Sequence, residues 1–279
     1  MDEPAYTGYE IRLYHGGSTM NNQKTRIGIL MMVMMMSAAG LFAAPDGQTI
    51  MENVYTRPAG DDMSAELTMT LTNSRGAQRV RSISQYSVAG ADMDQKIMFF
   101  TAPADVKDTS FMSWSYDDGR DDDQWIYLPA LGRVRRISSD SKNDSFMGSD
   151  FTYDDLGERH PDEDRHRLLR EETYNGERCY VVESIPVDED AAFAKTVTWI
   201  VVDQWIGLKR EYYDDRGDLY KRLDVEEFRQ IDGIWVIPRM TMTDLDGNHS
   251  TTLAMANIQI NTGRGSDIFT ERTMQRGVR

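Results

Sequence analysis

From Ser64 onward, apolar and polar positions alternate with a period of two, interrupted at short intervals by turn residues. Ala65, Leu67, Met69 and Leu71 alternate with Glu66, Thr68 and Thr70, the pattern of a strand with one buried face. Asn73-Ser74-Arg75-Gly76 supplies a turn, and 80–88 reads as the returning strand. The same grammar predicts strands over 95–101, 110–116, 124–128 and 133–138. It continues over 167–174, 179–185, 195–202, 208–213, 219–228, 234–243 and 250–260. Asn175-Gly176 joins two of these strands and favours the positive φ angles of a tight hairpin. Evenly spaced strands with turn chemistry between them indicate a barrel or a strongly curved sheet. Helices are few: 48–55 fits one, and 149–156 a second, short one with Ser149 or Asp150 as N-cap.

Several strands break simple alternation. Phe99 and Phe100 are adjacent, as are Tyr212 and Tyr213; 125–128 and 199–202 are apolar on both faces. A sheet with one buried face does not need this. Either protein covers these strands on both sides, or the sheet curves around a cavity whose lining is apolar because its ligand is apolar. Methionines recur within strands (Met69, Met98, Met112, Met240, Met242, Met255), which suits an adaptable surface and equally an ordinary core.

The N-terminus is read apart from the fold. Lys24 and Arg26 precede an apolar run over 27–36 and then small residues, the layout of a secretory signal peptide over 20–44. The run is too short to span a bilayer, which takes about 20 residues. Residues 1–19, upstream of Met20, are expected to be an extension from an earlier start, and 45–279 one β domain exported to the periplasm.

The chain of 279 residues carries a formal net charge of −15. The segment before Pro45 holds Arg12, Lys24 and Arg26 against Asp2, Glu3 and Glu10, so the excess acid belongs to the exported part. Acidic surfaces repel nucleic acid and anionic membrane faces; no nucleic-acid partner is expected, and membrane contact should be transient. Cys179 is the single cysteine, so an intrachain disulfide is excluded.

The sequence does not indicate catalytic chemistry. The acidic run Asp117-Asp118-Gly119-Arg120-Asp121-Asp122-Asp123 lacks calcium-loop spacing and reads as a solvated hairpin turn, as does 244–248. His160 and His166 lie in a polar stretch without metal-ligand spacing. Cys179 reads as a small core residue. No nucleophile elbow, phosphate loop or zinc-protease motif appears, so the chain reads as a non-enzyme without cofactor or metal. Arg133 and Arg135 share one strand face and Arg136 the other. They pair with nearby aspartates or grip an anionic headgroup through forked hydrogen bonds.

The central third carries the runs FFTAPADVKDTSF (99–111), DDQWIYLPALGRVRRI (122–137) and FMGSDFTYDDL (146–156), followed by KREYYDDRGDLYK (209–221) and DIFTER (267–272). These resemble the outer-membrane lipoprotein-sorting protein family, the larger relatives of the periplasmic carrier LolA. The resemblance runs from about residue 50 to the C-terminus. It implies a mostly β fold: an incomplete, strongly curved antiparallel barrel of the LolA/LolB type, with a few short helices as lid or plug. It also implies an apolar concave face that holds lipid or lipoprotein acyl chains, and an RND-type inner-membrane transporter as possible partner. On that basis the cavity is expected at Phe99, Met112, Trp114, Trp125, Tyr127, Phe146, Phe151 and Trp199, with headgroup contacts at Arg133, Arg135 and Arg136. The rival class is a non-catalytic periplasmic interaction or sensor module that binds a transporter or signalling protein without lipid.

Overall fold

In a computed structural model the alternating segments form thirteen strands, and residues 44–277 are described. The strands are β1 Asp62–Thr72, β2 Gln78–Val88, β3 Met93–Ala102, β4 Ser110–Tyr116, β5 Asp123–Leu128 and β6 Arg133–Arg136. After a long connection come β7 Asp164–Tyr174, β8 Glu177–Pro186, β9 Lys195–Val201, β10 Gly207–Tyr213, β11 Leu219–Ile231, β12 Ile234–Asp244 and β13 His249–Ile260. The expected signal peptide over 20–44 and the extension over 1–19 fall, except for Ala44, outside the described residues. No described helix is long and apolar enough to cross a membrane.

All thirteen strands belong to one sheet in the order β6-β5-β4-β3-β2-β1-β13-β12-β11-β10-β9-β8-β7. Two meanders are thus joined where β1 pairs with β13, and every pairing is antiparallel. The edges β6 and β7 do not pair, so the barrel stays incomplete, as the resemblance implied. Turn chemistry fixes the hairpins: Asn175 and Gly176 sit at φ 50° and 87°, Asp232 and Gly233 at 50° and 83°.

Cross-strand register assigns the two faces. Phe111 lies opposite Met98 and Ile126, and Met242 opposite Leu223 and Thr251, all on the inner side. Leu67, Met69, Ile83, Met98, Phe100, Phe111, Met242 and Leu253 form the principal core there.

Helix α1 (Gly47–Tyr55) is capped by Asp46, whose carboxylate accepts from the Thr49 amide at 2.8 Å. Its Ile50 is fully buried against Tyr180, Val182, Ile200 and Val202. The start of α1 lies so close to β7 that a Cβ on Gly47 would fall 2.6 Å from the Arg167 nitrogen.

A second helix, α2 (Glu271–Arg276), seats Met274 on the other face of the opposite meander. Strands β3 to β5 and β8 to β9 are therefore apolar on both faces because protein covers both. Cys179, Val181, Val197 and Trp199 pack with Ile206 and Leu208, while their neighbours Tyr180, Val182 and Ile200 pack under α1.

The helix expected over 149–156 is corrected. Residues 146–148 and 154–156 form single 3-10 turns, and the intervening chain is extended or bent. Long-range hydrogen bonds set this shape in place of an N-capped helix.

Candidate functional site

The connection over 137–163 links the two sheet edges and dips into the inner side. It places Phe146, Phe151 and Leu156 in the principal core, with Phe146 5.2 Å from the Phe111 ring and 5.9 Å from Phe100. Around this apolar contact runs a set of polar tethers. Arg81 donates to the Met147 carbonyl at 2.7 Å, Lys96 to the Leu156 carbonyl at 2.7 Å, and the Gln124 amide to the Tyr153 carbonyl at 2.9 Å. Asp155 accepts from Lys221 at 2.6 Å and from the Tyr212 hydroxyl at 3.2 Å. Asp150 accepts from the Thr251 hydroxyl at 2.6 Å and meets the His249 ring, whose other nitrogen is 3.5 Å from Asp244. The Met147, Tyr153 and Leu156 carbonyls and the Asp150 and Asp155 carboxylates thereby find partners.

Asp150, Asp244 and His249 bring ligand-type atoms within 4.8 Å of one another, the described group that could meet at one ion. Their hydrogen bonds already join the segment to the β12–β13 turn.

The segment does not fill the hollow. Between α1, the segment and the inner faces of β10 to β12 lies a cavity of about 390 Å³. Its apolar wall includes Met51, Val54, Phe151, Leu223, Met240 and Met242. An adjoining space of about 300 Å³ runs toward the start of β1 and β12 and is walled by Met63, Trp235, Val236, Ile237, Met240 and Met255. Volumes of this size suit small apolar ligands, whose pockets start near 300 Å³. Arg57, Asp94 and Glu158 line both spaces.

The expected cavity residues do not gather at this hollow. Phe151 lines it, and Phe146, from the same segment, is fully buried in the principal core. Phe99, Met112, Trp114, Trp125 and Tyr127 form a separate cluster on the opposite sheet face, under Phe269 and Met274. Trp114 and Trp125 meet edge to face at 5.0 Å. Trp199 lies in a third cluster, with the Lys209 ammonium 3.4 Å over its ring and its indole N–H directed at Glu172. What the sequence reading missed is the set Met51, Val54, Arg57, Leu223 and Trp235. Only the strand methionines of β12 and β13 gave a signal.

Of the three arginines, Arg136 pairs with Asp123 across β5 and β6. Arg133 and Arg135 lie exposed on the edge strand, Arg135 opposite Ile126. The acidic run over 117–123 does turn between β4 and β5, but Asp122 is half-buried and hydrogen-bonded. Its carboxylate accepts from Ser115 at 2.8 Å and from the Glu158 amide at 2.9 Å, and burial pushes it up from the usual carboxylate range.

His160 packs edge to face on Tyr55 at 5.0 Å. His166 is half-buried between the Ser184 hydroxyl and the Pro161 carbonyl, both at 2.8 Å. Burial pushes the Cys179 thiol up to about 11, as befits a core residue.

The profile of an uncharacterized protein family matches residues 92–276. Among solved structures, the outer membrane lipoprotein-sorting protein domain from Vibrio parahaemolyticus is 34% identical. It covers 82% of this chain and 98% of its own, with a TM-score of 0.77. A DUF1329 family protein from Desulfovibrio piger is 30% identical, with the same coverage and TM-score. A LolA superfamily protein from Nitrosomonas europaea is 21% identical over 82% of this chain and 99% of its own, at a TM-score of 0.63, and shares the fold. No curated protein matches the chain at a significant level. The fold class is that of LolA-like open barrels. Within it, the chain belongs to the outer membrane lipoprotein-sorting protein family.

Proposed function

We propose that this protein is a non-catalytic periplasmic carrier that shields acyl chains of a lipid or lipoprotein between membranes, alongside an RND-type transporter. The observation that carries this reading is the apolar-walled hollow between α1, the 137–163 segment and the inner face of β10 to β12. Hydrocarbon in water costs about 0.8 kcal/mol per exposed CH₂. A carrier has to hide that surface and later release it, and a hollow of this kind needs no catalytic group.

The segment is the movable part in this reading. Its apolar contacts with Phe100 and Phe111 compete with an incoming alkyl chain for the same surface. Its displacement enlarges the hollow toward the principal core.

The test is native mass spectrometry of the protein recovered from its own periplasm. The wild type should arrive with acyl-containing adducts, and a Met240→Asp, Met255→Asp variant, at two half-buried wall positions, should arrive bare with its circular dichroism retained. Bare wild-type protein that nevertheless captures a transporter domain would establish the lipid-free interaction module instead.

A further inference from the structure

Arg57 follows α1 and lines three neighbouring cavities: the two spaces described above and a wider opening of about 610 Å³ beside Tyr55 and His160. Its Nε is fully shielded and has no hydrogen-bond partner. Burial alone depresses its basicity, with no compensating carboxylate acting on it. A shielded guanidinium nitrogen without a partner is costly, and proteins normally pair such a group. Other cations on this side are engaged: Lys96 with the Leu156 carbonyl and Arg159 with Asp164 at 2.8 Å.

Asp94 and Glu158 line the same three spaces. Neither makes an ion pair within 4.0 Å among the described residues. Burial pushes both carboxyls up from the ordinary range, against the pull of Lys96. One unpaired cation and two unpaired acids therefore stand at the entrance to a methionine- and tryptophan-walled space.

On the carrier reading above, we infer that this entrance binds a zwitterionic amphiphile, with its phosphate on Arg57, its ammonium between Asp94 and Glu158, and its alkyl chains against Trp235, Met240 and Met255. A purely anionic headgroup satisfies Arg57 but meets the two acids. A purely cationic one does the reverse. A headgroup carrying both signs satisfies all three. Phosphoethanolamine has that chemistry, and a guanidinium fork matches its phosphate oxygens.

The test uses the delipidated protein and three short-chain probes: dihexanoyl-phosphatidylethanolamine, dihexanoyl-phosphatidylglycerol and neutral dihexanoylglycerol, followed by calorimetry. Phosphatidylethanolamine should bind the wild type about tenfold tighter than phosphatidylglycerol, a factor of the size a charged hydrogen bond supplies. Arg57→Gln should cut binding of both phospholipids about tenfold and leave the neutral probe unchanged. Arg57→Lys, which keeps the charge without the fork, should fall between. The Asp94→Asn, Glu158→Gln double variant should bring phosphatidylethanolamine down to the level of phosphatidylglycerol.

Equal binding of both phospholipids by the wild type would overturn the inference, as would an Arg57→Gln variant that binds them undiminished. If the neutral probe binds and headgroups make no difference, the hollow holds chains and only this assignment fails. If no probe binds, the carrier reading falls with it.

Discussion

Asp155 receives four hydrogen bonds: from Lys221, from Tyr212, and from the amide and hydroxyl of Thr152. The Asp155 and Lys221 side chains are each only 12% exposed, so neither reaches water readily when its partner is lost. Asp155→Ala should cost about 3 kcal/mol, the scale for stranding a buried charge. Urea unfolding measures it, and a loss under 1 kcal/mol would show the pair to be ornamental. His166 makes a second residue-level prediction. The Pro161 carbonyl can only accept, so Nε2 carries the proton and Nδ1 accepts from Ser184. Burial holds the imidazole below its ordinary 6.5. The unfolded chain therefore takes up a proton that the folded one refuses. The stabilisation is complete above pH 6.5 and is lost as pH falls from there toward the depressed folded value. Urea midpoints between pH 7.5 and 5.5 should decline more steeply in the wild type than in His166→Gln.

At the level of elements, α2 covers an aromatic sheet face with a single turn and a half of helix. Phe269 just before it is 1% exposed, within the cluster of Ile97, Met112 and Met274. Phe269→Ala should cost about 3 to 5 kcal/mol, read as a lowered urea midpoint. It should also expose Trp114 and Trp125 to quencher. The strands themselves were legible because alternation and turn residues such as Asn175-Gly176 act locally. Helix α2 was not, because six residues carry no helical period and its capping Thr270 looks like any loop threonine. The 146–156 stretch misled for a different reason. Its shape is imposed by Arg81, Lys96 and Gln124, which stand on strands far away in sequence. The two-sided apolar strands stand out in the sequence. Spacing alone could not say whether protein or ligand covers the second face, and Phe99, Met112, Trp114, Trp125 and Tyr127 turned out to be covered by the C-terminal helix.

For the molecule as a whole, register and topology decide where a hollow can exist. The two meanders curl toward one another from the β1–β13 seam, and their inner faces are lined by methionine and leucine in the region of β11 to β13. The general form followed from the alternation and the family motifs, whereas the location of the hollow required knowing which parity of each strand faces inward. Loading with lipid should loosen the 137–163 segment without touching the seam. Hydrogen exchange should then quicken at the amides of Phe146 and Tyr153, whose partners are the Phe151 and Asp144 carbonyls. The β1–β13 ladder should stay protected; uniform change across the sheet would contradict a local displacement.

Because one stretch of chain both leaves β6 and enters β7, the two unpaired margins of the sheet are leashed to each other. Their separation is capped by the length of that leash. Cutting it among the outward-facing residues around Ser139 and Asp140 should leave two halves still zipped at their common spine, free to gape wider than the intact chain allows.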